Sequence, residues 1–177
     1  MPTQRLAATD AEAYRTLMLE AYERHPDAFT SSVAERSVLP LAWWAARLAP
    51  DPDAAEAVFG AWVDGELAGV AGLAVETREK TRHKSTLFGM YVPQRHRRRG
   101  LARSLVEAVL ADAGRRPATR LVQLTVTVGN APAQRLYESC GFVAFGTEPL
   151  AVRIGSAYVS KVHMWCDLRA AVAAPAT

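Results

Sequence analysis

Two short stretches of this 177-residue chain carry side chains spaced to do chemistry. The first is Arg97-Arg98-Arg99-Gly100-Leu101-Ala102, in a run that also holds Arg95 and Arg103. After Gly100, the residues Leu101, Leu105, Val109 and Ala113 form an apolar stripe widened by Val106 and Leu110, so the arginines sit where a loop meets an amphipathic helix. The unpaired N–H groups of a first helical turn and the positive end of the helix dipole point the same way, which makes such a junction an anion site. The second stretch runs from Asn130 to Tyr137, seven residues or about two helical turns, which puts both side chains on one helix face. On residue type alone, Asn130 reads as a helix cap and Tyr137 as a core aromatic. Cys140 lies at a helix end with no histidine or acid nearby in sequence, so it reads as a structural thiol rather than a nucleophile.

The distribution of charge narrows the ligand. The formal net charge is +3, and it turns negative without the five arginines between 95 and 103. Charge concentrated in one loop favours a compact polyanion over an extended nucleic-acid surface, and no recognition helix or aromatic platform accompanies it. The glycine spacings of dinucleotide and Walker-type phosphate loops are absent. Cys140 and Cys166 make neither a disulfide framework nor a metal-ligand cluster, so no metal is expected. No stretch approaches the ~18 apolar residues of a spanning helix, and the N-terminus lacks a signal peptide's apolar centre. A cytoplasmic protein with no membrane partner is the expectation.

The elements that must position these residues follow from pattern. One domain is expected over 1–169, with a disordered tail at 170–177. Residues 10–24 form a first helix with Tyr14, Leu17, Met18, Ala21 and Tyr22 on one face. The segment 27–37 has loop composition, and a second helix covers about 40–49. Strands at 56–63 and 66–76 are joined by Asp64-Gly65, the signature of a type I′ hairpin turn. A strand at 85–92 ends at Pro93, and the helix after Gly100 ends at Gly114 as a C-cap. The strand at 121–128 follows one crossover helix, so it lies parallel to the strand at 85–92. Asn130 caps a helix reaching about Ser139, a strand begins at 142–145, and the last strand spans 158–168.

This order of elements, with these two motifs, resembles the GNAT superfamily of acetyl-CoA-dependent N-acetyltransferases. Arg97-Arg98-Arg99-Gly100-Leu101-Ala102 matches the family's Arg/Gln-x-x-Gly-x-Gly/Ala, and Asn130 to Tyr137 followed by Gly141-Phe142 matches its Asn-x-x-Ala-x-x-Leu-Tyr and Gly-Phe. Arg98 stands where glycine is frequent, and Ala102 is an allowed replacement. The resemblance implies an α/β (α+β) fold: a mixed, mostly antiparallel sheet with one splayed parallel strand pair, flanked by about four helices. It implies acetyl-CoA as co-substrate, held by Arg97, Arg98, Arg99, Gly100, Leu101, Ala102 and Arg103 at the pyrophosphate. The backbone of Met90, Tyr91 and Val92, with Asn130 and Ala133, would hold the pantetheine arm. It also gives Tyr137 the role of general acid to the leaving thiolate. By analogy a homodimer through the last strand is open.

The implied reaction is direct attack by a neutral amine, and an alkylammonium with a pKa of about 10 must first lose a proton. Many family members carry a glutamate on the strand before the first motif, but Ser85 to Val92 contains no carboxylate. Glu76 is the leading substitute, ahead of Glu79, His83, Glu35 and a water chain. The acceptor, a small-molecule or peptide or protein amine, would be walled by Phe29, Trp43, Trp44 and Tyr158. The absent glutamate motivates one competing reading, a CoA-binding regulatory module without turnover.

Overall fold

The computed structural model describes residues 3–169; the tail expected to be disordered, 170–177, lies outside them. Seven strands form one sheet: β1 (Thr3–Arg5), β2 (Glu56–Val63), β3 (Glu66–Val75), β4 (Lys84–Tyr91), β5 (Leu121–Thr127), β6 (Val143–Ile154) and β7 (Ala157–Asp167). Their spatial order is β1-β2-β3-β4-β5-β7-β6, and every neighbouring pair is antiparallel except β4 with β5. Five α-helices accompany it: α1 (Ala11–Arg24), α2 (Val33–Ser37), α3 (Leu41–Ala46), α4 (Leu101–Arg115) and α5 (Ala131–Ser139). This is the α/β arrangement expected from the sequence, with one more short helix.

Period-two alternation in β2 explains how the sheet holds two cores. Ala57, Phe59, Ala61 and Val63 join Leu101, Leu105, Val106 and Val109 of α4 on one face. Val58, with Leu67 and Val70 of β3, joins Tyr14, Leu17 and Met18 of α1 and Trp44 of α3 on the other. A fully buried Leu or Val contributes roughly 1.5–3 kcal/mol, so the i, i+4 stripe of α4 is what seats that helix on the sheet. The hairpin between β2 and β3 turns where expected, with Asp64 at φ 50° and Gly65 at φ 81°, as a type I′ turn requires.

Several expectations need correcting. Helix α4 runs past Gly114 to Arg115, with Arg116 as its C-cap. Buried Asp112 explains this: it accepts from Arg115 (2.7 Å) and Arg116 (3.0 Å), drawing both into the last turn. The segment 27–37 is not all loop, since Ser32 and Glu35 form a reciprocal capping box that starts α2. Strand β6 continues well beyond Phe145, crossing Pro149 because register shifts between Ala144 and Gly146 and between Glu148 and Val152 absorb the interruption. The three-residue edge strand β1 was not anticipated.

Candidate active site

Strands β4 and β5 pair only over Lys84–Thr86 and Leu121–Gln123. Side chains fasten this closed end: Ser85 Oγ donates to the Leu121 carbonyl at 3.1 Å, and Gln123 Nε2 to Thr86 Oγ1 at 3.5 Å. Beyond it β4 keeps only β3 as a partner and β5 only β7, so the sheet opens as a V between the rest of the two strands. On the β4 lip an extra residue interrupts the ladder, because Val70 pairs with Tyr91 while Gly72 pairs with Phe88. Gly89, at φ 61°, supplies the left-handed backbone of this bulge. Bulge and missing partner together leave polar backbone around Met90 and Tyr91 facing the V, available to an extended ligand.

The arginine loop crosses the wide end of the V. Arg98 at φ 63° and Gly100 at φ 77° give it left-handed backbone directly before α4, the kind of turn that can gather N–H groups for an anion at a helix start. A Cβ placed on Gly100 would meet nothing within 4 Å, so the cradle is open. The five arginines divide by task. Arg95 bonds Glu20 (3.0 Å) and Glu66 (2.7 Å), tying the loop to α1 and β3. Arg97 donates from Nε to the Val92 carbonyl (3.0 Å) and from Nη2 to His25 Nε2 (3.3 Å), which fixes the loop to the end of β4. Arg103 donates to Ser139 Oγ at 2.8 Å, fastening the first turn of α4 to the last turn of α5. Only Arg98 and Arg99 of the five are exposed with no hydrogen-bond or ionic partner among the described residues.

Helix α5 begins as expected: Asn130 Oδ1 accepts from Ala133 N–H at 3.3 Å. Tyr137 is only 6 % exposed and its ring meets Phe142 edge-on at 5.8 Å between centroids. Burial raises the pKa of its phenol well above the ordinary range, with Cys140 adding to the shift, so the group holds its proton in neutral and mildly alkaline solution. The hydroxyl has no hydrogen-bond partner among the described residues.

A small cavity opens against the β4 bulge on the α1 face. Its wall includes Gly89 and Phe88, Met18 and Tyr22 of α1, Phe29 of the following loop, and Trp43 and Trp44 of α3. The expected acceptor residues Phe29 and Trp43 therefore meet here. Tyr158 does not: it is 53 % exposed, opposite Arg153 near the tip of the β6–β7 hairpin. Glu76 follows β3, its N–H bonded to the Lys84 carbonyl at the closed end of the V, exposed and outside the cavity wall. The wall instead holds two cations that sequence reasoning passed over, Arg36 and Arg47. Arg47 had a signal, since it follows Trp43 by four residues and its guanidinium lies 5.0 Å from that indole. Another overlooked residue is Lys161 of β7. Its ammonium is buried against the carbonyls of Asp27 (2.9 Å) and Ala28 (2.9 Å) and Thr127 Oγ1 (2.8 Å), and desolvation lowers its pKa.

Comparison with known proteins places this arrangement. Residues 14–142 match the model of the acetyltransferase (GNAT) family. The chain is 33 % identical over 122 residues to the L-amino acid N-acetyltransferase AaaT of Escherichia coli strain K12, a match covering 68 % of this chain and 73 % of that protein. Its fold is similar to a GNAT-family acetyltransferase from Streptococcus pneumoniae, with TM-score 0.83 and 21 % identity over 93 % of this chain and 97 % of that one. It is also similar to a Salmonella typhimurium structure with its cofactor acetyl-CoA, with TM-score 0.77 and 21 % identity over 95 % and 94 % of the two chains. GNAT acetyltransferases use acetyl-CoA, and the open cradle, the two free arginines and the unpartnered β4 edge suit its pyrophosphate and extended arm. With both motifs in place around the splayed strands, the chain belongs to the acetyltransferase (GNAT) family.

Proposed function

We propose that this protein transfers an acetyl group from acetyl-CoA to a primary amine by direct attack, with Tyr137 as the general acid. The observation that carries the reading is the union of three parts at the V: the bulged β4 edge, the anion loop and the tyrosine helix, the last two joined by Arg103 and Ser139. Bound acetyl-CoA supplies a thioester carbonyl that a neutral amine attacks, releasing a thiolate. Arg98 and Arg99 neutralise phosphate charge, while the N–H groups around Gly100 bind without side-chain bulk. Backbone at Met90 to Val92 orients the arm, and the cap at Asn130 holds the start of α5 beside it. Tyr137 keeps its proton because its phenol is buried, which suits it to protonate the leaving sulfur.

The cavity wall contains no carboxylate and no histidine. Glu76 is not among the residues of that wall, which supports a reading in which the amine's proton departs through water. The missing base is also what favours the competing reading, a CoA-binding module without turnover. The name of the Escherichia coli relative puts free amino acids first among acceptors to try.

The deciding experiment is mass spectrometry of amino acids, polyamines, aminoglycosides and short peptides incubated with purified protein and acetyl-CoA. A protein-dependent acetyl gain on one class is expected. Tight CoA binding with no gain on any member favours the binding module instead.

A further inference from the structure

The cavity beside Gly89 is about 150 Å³, room for about five waters at ≈ 30 Å³ each. Its walls are largely aromatic, yet two guanidiniums reach it and no acid lines it. The two cations differ. Arg47 has a counter-charge, Glu56, at 3.0 Å. Arg36 has no carboxylate within ion-pair distance among the described residues. It spends one N–H on Ser31 Oγ (2.8 Å) and lies 4.7 Å from the centre of the Trp43 ring. A guanidinium has five N–H donors, so most of its capacity is unused.

Both guanidiniums lie over the Trp43 indole, and with Arg47 paired to Glu56 the uncompensated charge there is that of Arg36. Their field is felt in the cavity: burial raises the pKa of Tyr22, and Arg36 and then Arg47 pull it back. A flat cation backed by an aromatic face, with free forked donors and low local dielectric, matches a carboxylate.

We propose that Arg36 binds the carboxylate of the acceptor, with Arg47 beside it, so that the protein selects free α-amino acids over polyamines and other amines without a nearby anion. The proposal rests on the acetyltransferase reading above and names the acceptor class of that site. Gly89 and Phe88 bring the splayed β4 edge into the same small cavity. An amine one carbon from a carboxylate can therefore meet the thioester side with its nitrogen while Arg36 holds its other end.

The test compares L-methionine, L-leucine and L-phenylalanine with their carboxamides. Both acetylation rates and calorimetric binding to CoA-loaded protein are measured, for the natural protein, Arg36→Gln and Arg36→Lys. We expect free acids to be preferred about thirtyfold in kcat/KM, mainly through KM, as the loss of one charge-assisted contact implies. Arg36→Gln should bring the acid-to-amide ratio close to one, and Arg36→Lys should restore part of it. Equal use of acids and amides by the natural protein, or equal loss on both in Arg36→Gln, overturns the carboxylate assignment and leaves the acetyltransferase standing. Acids that bind in preference to amides but are never acetylated overturn the transferase reading and leave the assignment. Binding of neither overturns the assignment.

Discussion

The Lys161 ammonium on β7 donates to the Asp27 carbonyl, 2.9 Å away, and so joins the last strand to the loop that follows α1. Thr127 Oγ1 reaches the same carbonyl at 2.8 Å. Phe29 lies two residues on and lines the cavity beside Gly89, so this buried lysine helps to fix one wall of the proposed acceptor site. Replacing Lys161 with Met would leave the Asp27 carbonyl to Thr127 and strand the Ala28 carbonyl, at about 1–3 kcal/mol for a group left unsatisfied. We expect Lys161→Met to lower stability by about 1–3 kcal/mol in urea and to raise KM for the acceptor more than for acetyl-CoA. Equal KM values in variant and natural protein would show that the loop holds its place without it.

The same lysine gives a pH signature. Desolvation holds its folded pKa below the ordinary 10.5, so within that window the unfolded chain binds more protons than the folded one. Stability from this group must then rise with pH up to about 10.5. The stability gap between the natural protein and Lys161→Met should widen as pH is raised through that window, measured by urea denaturation at several pH values.

Tyr137→Phe removes the proposed acid but keeps the ring against Phe142. Turnover should fall by about 10²–10³, within the range of general acid catalysis, while CoA affinity changes less than about twofold. Because burial raises the phenol's pKa, the natural protein's kcat/KM should climb up to about pH 10 as the amine deprotonates, with no falling limb from Tyr137. A descending limb near about pH 9 would contradict the assignment.

The division of labour in the arginine loop is separable by affinity and salt. Arg98→Ala and Arg99→Ala should each weaken acetyl-CoA binding about tenfold and flatten its salt dependence. Arg95→Ala, whose charge is spent on Glu20 and Glu66, should leave cofactor affinity within about twofold. Fluorescence titration at low and high salt checks both.

Gly72 pairs with Phe88 across the β3–β4 ladder, and the Phe88 ring occupies the space a Cβ on Gly72 would need. The ring lines the cavity beside Gly89 and lies 5.2 Å from the Arg47 guanidinium. Gly72→Ala should therefore cost about 1–3 kcal/mol of overpacking and raise the acceptor KM, with the cofactor's KM little changed. Thermal melts and steady-state kinetics separate the two effects.

What the sequence made legible was local. Asp64-Gly65, the stripe from Leu101 to Ala113 and the cap at Asn130 each declare their backbone within a few residues. The parallel partnership of β4 and β5 followed from one crossover helix. Features set by distant packing were not legible. Gly114 looked like a stop, but Asp112 and its two arginines carry the helix past it. Strand β6 crosses Pro149 because β7 can pair around register shifts that sequence does not display. Arg36 and Lys161 matter through partners remote in the chain or through the lack of one, and neither belongs to a motif. Glu76 looked close to the site in sequence, but the chain places it at the closed end of the V.

The brevity of the β4–β5 pairing has a mechanical consequence. Along this line only three residue pairs join strands β1 to β4 to strands β5 to β7, no more than tie the short edge strand β1 to β2. Helix α4 spans that line on one face, and Lys161 and Thr127 lace its open end to the loop after α1. The parting line thus runs through the place proposed for the cofactor. A cofactor touching the loop, the β4 edge and α5 at once bridges the two halves, so hydrogen exchange along β4 and β5 should slow together when it is present.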